Sequence, residues 1–280
     1  MPKFDTPEPI LATIDVPGGH VRIRAADRAD TVVEVRPGDH TAEADVQAAE
    51  QTQVEYANGQ LLVRAPKNKI RSLFGRSPSV DLTIELPSDS RIDLKAWGDI
   101  RSEGRIGDSA FDIAAGSVRL DQTGRLKLRT AAGDVSVGRS GGHTDVATSS
   151  GKIWIGEIDG AAVIKTSSGD ITVGEVTGDV RLNTANGDIT VDRALAGVAA
   201  KTAFGRVRIG EVVRGSVLLE SGFGAVEAGV REGTAAWLDV SSQHGHVHSD
   251  LDAAEDPGTA EETVELRAHT RFGDVMIRRA

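Results

Sequence analysis

One near-regular series of ten glycines, each followed two residues later by Ile or Val, runs along the chain: Gly98, Gly116, Gly133, Gly151, Gly169, Gly187, Gly205, Gly224, Gly245 and Gly273. Successive gaps are 18, 17, 18, 18, 18, 18, 19, 21 and 28 residues. A period of this size marks a solenoid, in which each repeat buries its apolar face only by stacking on its neighbours.

The columns of the repeat define two strands per coil. After each glycine an apolar residue comes at the second position (Ile153, Ile171, Ile189) and again at the fourth (Ile155, Val173, Val191). That is the period-2 alternation of a half-buried strand. Counting back from each glycine, the fifth position holds Leu128, Val146, Ile164, Leu182, Ala200 and Leu219, and the third holds Thr130, Thr148, Thr166, Thr184, Thr202 and Ser221. This is a second strand with its own buried face. Too few residues separate the strands for a crossover helix, so like positions must stack in parallel. The expected fold is all-β: a parallel β-solenoid with coils of about 18 residues and two sheets enclosing a thin core. Glycine belongs at the corner, where a positive φ costs it little, and the Thr/Ser column beside it should bond to turn backbone groups.

Residues 1–95 are less regular. Segments 10–16, 20–24, 31–35, 52–57, 60–64, 80–86 and 91–95 alternate like strands, and 41–51 reads as one short helix. Gly19, with Val21 and Ile23, echoes the repeat. We expect irregular coils and a cap over 1–95, regular coils over 96–280, and an acidic insertion at 250–262.

Composition excludes several functions. A formal net charge of -10 disfavours nucleic-acid binding. The chain has no cysteine, hence no disulfide or zinc-thiolate site. The opening residues show no charged stretch followed by an apolar one, and no apolar run is long enough for a spanning helix, so a cytoplasmic protein is expected. Ser/His/Asp, P-loop and dinucleotide motifs are not found in the sequence, and no cofactor is expected. A β-helix polysaccharide lyase is the best enzyme alternative. It fails on its carboxylate column (Asp99, Ser117, Asp134, Lys152, Asp170, Asp188, Arg206), which two cations interrupt.

Candidate interaction residues fall in five places. The segment 67–79 joins Arg71 and Arg76 to Leu73 and Phe74, a basic and apolar loop suited to a partner groove or a membrane surface. Trp154 points outward amid Thr172 and Thr190. Phe204, Phe223, His244 and Phe272 each precede a corner glycine and should stack at one corner. His246 and His248 point outward from one strand and are weak candidates for a metal pair, with solvated histidines as the simpler reading. Lys127, Arg129, Lys165, Arg181 and Lys201 lie on the opposite outer face, diluted by acids into an ordinary solvated surface.

The units SSGDITVGEVTGDVRLNT and ANGDITVDRALAGVAAKT, with the lead-in SVDLTIELPSDSRIDL, resemble a bacterial β-strand-repeat family labelled "putative adhesin", a domain of unknown function. The resemblance spans roughly residues 10–278. It implies a parallel β-solenoid and an association with envelope-stress systems in some relatives, and it brings no catalytic residues. The expected function is a non-enzymatic scaffold or protein-interaction module with a protein partner. The alternatives are a peripheral membrane or envelope-stress accessory and a head-to-tail assembly, with a monomer favoured over a filament.

Overall fold

The computed structural model of the protein describes residues 1–66, 78–251 and 262–280. Arg71, Leu73, Phe74 and Arg76 lie outside the described residues, as does most of the acidic insertion. The chain divides into two compact units, Met1–Gly141 and Gly142–Ala280.

The first unit holds β1 (Lys3–Asp5), β2 (Leu11–Val16), β3 (Val21–Ala26), β4 (Asp30–Pro37), α1 (Glu43–Glu50), β5 (Gln53–Ala57), β6 (Gln60–Arg64), β7 (Val80–Pro87), β8 (Arg91–Ala96), β9 (Ile100–Ile106), β10 (Ser109–Ile113), β11 (Val118–Thr123), β12 (Leu126–Ala132) and β13 (Val135–Ser140). Within it one sheet runs β1-β4-β7-β3-β9-β11-β13 and the other β5-β6-β2-β8-β10-β12. Alternation builds each strand: in β3, Val21, Ile23 and Ala25 are buried while Arg22, Arg24 and Ala26 face out.

Coil order in space is not chain order. The coil β2/β3 packs directly on β8/β9, and β6 and β7, which come between them in sequence, lie on its far side. The corner explains this arrangement. Gly19 donates its N–H to the Trp97 carbonyl, so one glycine corner stacks on the next, whereas β7 is entered through Pro78 and Ser79. Antiparallel strands then close this end: β4 on β7, β1 on β4 and β5 on β6.

An ion cluster ties the antiparallel strands together. Asp30 pairs with Arg28 at 2.9 Å and Lys3 at 3.0 Å, and Arg28 also bonds Glu85 on β7. The Arg28 guanidinium, and after it Lys3, hold the Asp30 carboxyl down to about 2. A carboxyl depressed in the folded state stabilises fully above its unfolded value near 4, and that contribution is lost as pH falls through about 2. Wild type should therefore protect the Thr6 and Val33 amides from hydrogen exchange better than Asp30→Asn at pH 6. The two should converge near pH 2. Equal protection at pH 6 would show that the cluster does not hold β1 in place.

The second unit is the regular solenoid: β14 (Thr144–Ser150), β15 (Ile153–Ile158), β16 (Ala162–Lys165), β17 (Ile171–Val176), β18 (Val180–Asn186), β19 (Ile189–Ala194), β20 (Val198–Phe204), β21 (Val207–Val212), β22 (Gly215–Phe223), β23 (Val226–Val230), β24 (Thr234–His244), β25 (Val247–Ser249), β26 (Glu262–Phe272) and β27 (Val275–Arg279). Pairing is parallel throughout this unit, with Ile171 beside Ile153 and Ile189, and Leu182 beside Ile164 and Ala200. These inward columns are fully buried. The Thr/Ser column behaves as read from the sequence. Thr202 and Ser221 donate their hydroxyls to the carbonyls of Gly187 and Gly205 in the preceding coil, at 3.0 and 2.8 Å.

At the far end of this unit chain order again fails. The coil β26/β27 inserts between β22/β23 and β24/β25, which leaves β24/β25 outermost. Ser249 stands in β25 where β27 carries Ile277. Interior placement of β25 would bury a hydroxyl in the apolar column, at a cost that β27 avoids. The consequence is visible in Val247, 45% exposed, beside Val275 at 0%.

Candidate functional site

Regular stacking turns single residues into ladders, and each ladder can be judged by what it touches. The corner column of the second unit stacks face to face in the order Phe204, Phe223, Phe272, His244. Ring centroids are 5.0, 4.7 and 4.5 Å apart, with interplanar angles of 6°, 3° and 15°. The stacking expected from the sequence is present, in the order that the inserted coil dictates. All four rings remain exposed. Because each inner ring uses both faces on its neighbours, the strip offers edges to solvent. A sugar ring seeks an aromatic face, so this geometry suits apolar side chains better than a glycan.

The tryptophans are exposed in both units: Trp97 at 56%, Trp154 at 48% and Trp237 at 58%. Trp154 sits on β15 opposite Thr172, as its parity required. Trp97 and Trp237 were not singled out from the sequence. The register nevertheless carried a signal for both: Trp97 directly precedes Gly98, as the four stacked rings precede their glycines, and Trp237 alternates with inward Ala236 and Leu238.

The carboxylate column is structural. Asp99, Asp170 and Asp188 accept the backbone N–H of Ser117, Asp188 and Arg206 on the next coil at 2.8, 3.1 and 2.7 Å. Lys152 pairs with Asp170 at 3.2 Å. On the opposite outer face, Lys201 is neutralised by Glu220 at 2.8 Å. His246 and His248 each face a separate carboxylate, Asp274 at 3.6 Å and Asp250 at 2.7 Å. Among the described residues, no group of three or more His, Asp or Glu is arranged to hold a metal ion. The perturbed carboxyls (Asp30, Glu85, Asp89 and Asp170) are all lowered by cations or backbone N–H groups, the signature of paired structural acids.

Residues 13–216 match the family model Toastrack DUF4097. No curated protein matches the chain. Among solved structures, a "putative lipid binding protein" from Parabacteroides distasonis is similar at 13% identity, covering 100% of this chain and 95% of that one with a TM-score of 0.44. A "putative adhesin" from Bacteroides fragilis is similar at 13% identity, covering 99% and 95%, with a TM-score of 0.42.

Proposed function

The chain belongs to the Toastrack DUF4097 family, a β-solenoid domain of unknown function, and on that premise we propose that it is a non-enzymatic interaction module. The observation that carries this reading is the outward placement of Trp97, Trp154 and Trp237. Indole is the side chain most often found at the energetic centre of protein interfaces, where it buries a large area and still offers an N–H donor. The thin core of Val, Ile, Leu and Ala takes none of them, and left exposed they favour association. The edge-presenting strip Phe204–Phe223–Phe272–His244 extends the apolar surface of the second unit. The partner is a protein with apolar side chains to place against these rings.

The test is a quantitative pull-down from the protein's own cell extract, comparing wild type with Trp154→Ser plus Trp237→Ser. Both side chains stand on outer faces, so the variant should melt within a degree or two of wild type. A specific partner should be lost from it by tenfold or more. Undiminished capture of every specific partner would remove these tryptophans from the working surface.

A further inference from the structure

On the outer face of the first unit, one column breaks the charge pattern seen elsewhere. Arg24 lies between Glu85 and Glu103, each at 3.5 Å, and Arg193 between Glu175 and Glu211 at 3.3 and 3.6 Å. The column two residues before Arg24 is different. Arg22 on β3, Arg101 on β9 and Arg119 on β11 are direct register partners. Strands stand about 4.8 Å apart, so three guanidinium groups rise from adjacent rungs over roughly 10 Å. Like charges directly opposite one another destabilise a sheet. Arg101 has Glu103 at 2.9 Å, but neither Arg22 nor Arg119 has an ion-pair partner among the described residues.

These arginines line a cavity of about 370 Å³ together with Arg36 and His20. Two carboxylates also border it, and both are engaged by backbone donors: Asp99 accepts the Ser117 N–H at 2.8 Å and Asp81 the His20 N–H at 3.2 Å. Four arginines against these two carboxylates leave the lining formally +2, on a chain whose net charge is -10. Glu34 pairs Arg36 and Glu103 pairs Arg101, so Arg22 and Arg119 are its arginines without an ion-pair partner among the described residues. Its donors stand on paired strands rather than on loops, which fixes their spacing before any ligand arrives.

We infer that the Arg22–Arg101–Arg119 ladder is an oxyanion site for a phosphate-bearing ligand with at least two negative charges. The guanidinium fork matches phosphate bidentately, and a ligand spanning two rungs relieves the repulsion that this column otherwise carries. A soluble polyphosphorylated compound and a phospholipid headgroup share this chemistry. The inference is independent of the tryptophan surface proposed above, because it uses other residues and another readout.

The first probe is inorganic pyrophosphate, titrated calorimetrically at constant ionic strength against a sodium chloride control. Wild type should bind it saturably. Arg22→Gln and Arg119→Gln should each weaken binding by roughly tenfold, about the loss of one charge-assisted contact, and the double variant should abolish it. Arg208→Gln, which removes an arginine facing Glu227 at 3.9 Å in the second unit, should change nothing. Without anion, the double variant should melt at or above the wild-type temperature, since it loses repulsion and no partner. The second probe is sedimentation with phosphatidylglycerol or phosphatidylcholine vesicles. Arginine-dependent sedimentation with the anionic vesicles alone assigns the site to a headgroup; pyrophosphate binding without sedimentation assigns it to a soluble ligand. The inference is overturned if the double variant matches wild type in both assays, or if wild type responds to neither probe beyond the chloride control.

Discussion

Gly187→Ala is expected to cost the second unit about 3–6 kcal/mol, and its melting temperature should fall by roughly 10–20 °C. Two penalties coincide at this corner. The backbone holds φ at 149°, which L residues rarely adopt. A Cβ built there would also lie 2.1 Å from the carbonyl oxygen of Gly169 in the neighbouring coil. The obstacle is backbone of a strand stack, so no rotamer change relieves it. Moving the coils apart would stretch the bond from the Gly169 N–H to the Asn186 carbonyl, which joins the two at this corner. Gly233→Ala separates the two penalties. Its φ is 79°, yet nothing lies within 4 Å of the added methyl group. That variant should lose only about 1–2 kcal/mol, the cost of a left-handed conformation alone. Thermal unfolding of both variants checks the argument, and equal losses would mean that close coil stacking is not what demands glycine at the corner.

The same stacking decided what could be read from the sequence. Strand faces were legible because a buried column repeats: Ile153, Ile171 and Ile189 name one another at fixed distance from a glycine. The Thr/Ser column was legible for the same reason. Coil order was not. β24 and β26 both present an apolar inward series, Ala236-Leu238-Val240 and Val264-Leu266-Ala268, so nothing in either strand says which lies inside. The discriminating residue is Ser249, in the short strand that follows β24. Likewise Arg22 and Arg101 share the third position after their glycines, but chain order puts β6 and β7 between them. Only the stacking of the Gly19 corner on the Gly98 corner makes them neighbours. Sites made by register within consecutive coils can be read from a repeat; sites made by an exchange of coils need the fold.

Ile171→Asp tests the register itself. Ile171 is completely buried, flanked by Ile153 and Ile189 in the inward column of β17. Substitution removes about 2–3 kcal/mol of apolar burial and places a carboxyl among aliphatic side chains. There it must either stay neutral or be left unsatisfied, for about 2–4 kcal/mol more. The sum approaches the entire stability of many domains, about 5–15 kcal/mol. Because each coil contacts only its neighbours, loss should begin around β15, β17 and β19 rather than uniformly. Asp170→Ala, one residue away, is the control. Asp170 lies on the outer face; the Asp188 amide, and after it Lys152, hold its carboxyl below the usual range. Those contacts are largely solvated, so the loss should stay within about 1 kcal/mol. Its sign follows from the depressed carboxyl: the contribution is present above the unfolded value near 4 and disappears as pH falls below it. Hydrogen exchange across the second unit, with urea unfolding for the totals, reads both variants. A large, local loss for Ile171→Asp beside a small one for Asp170→Ala follows directly from which of two adjacent residues faces the core. Comparable losses would contradict the register assigned to this strand.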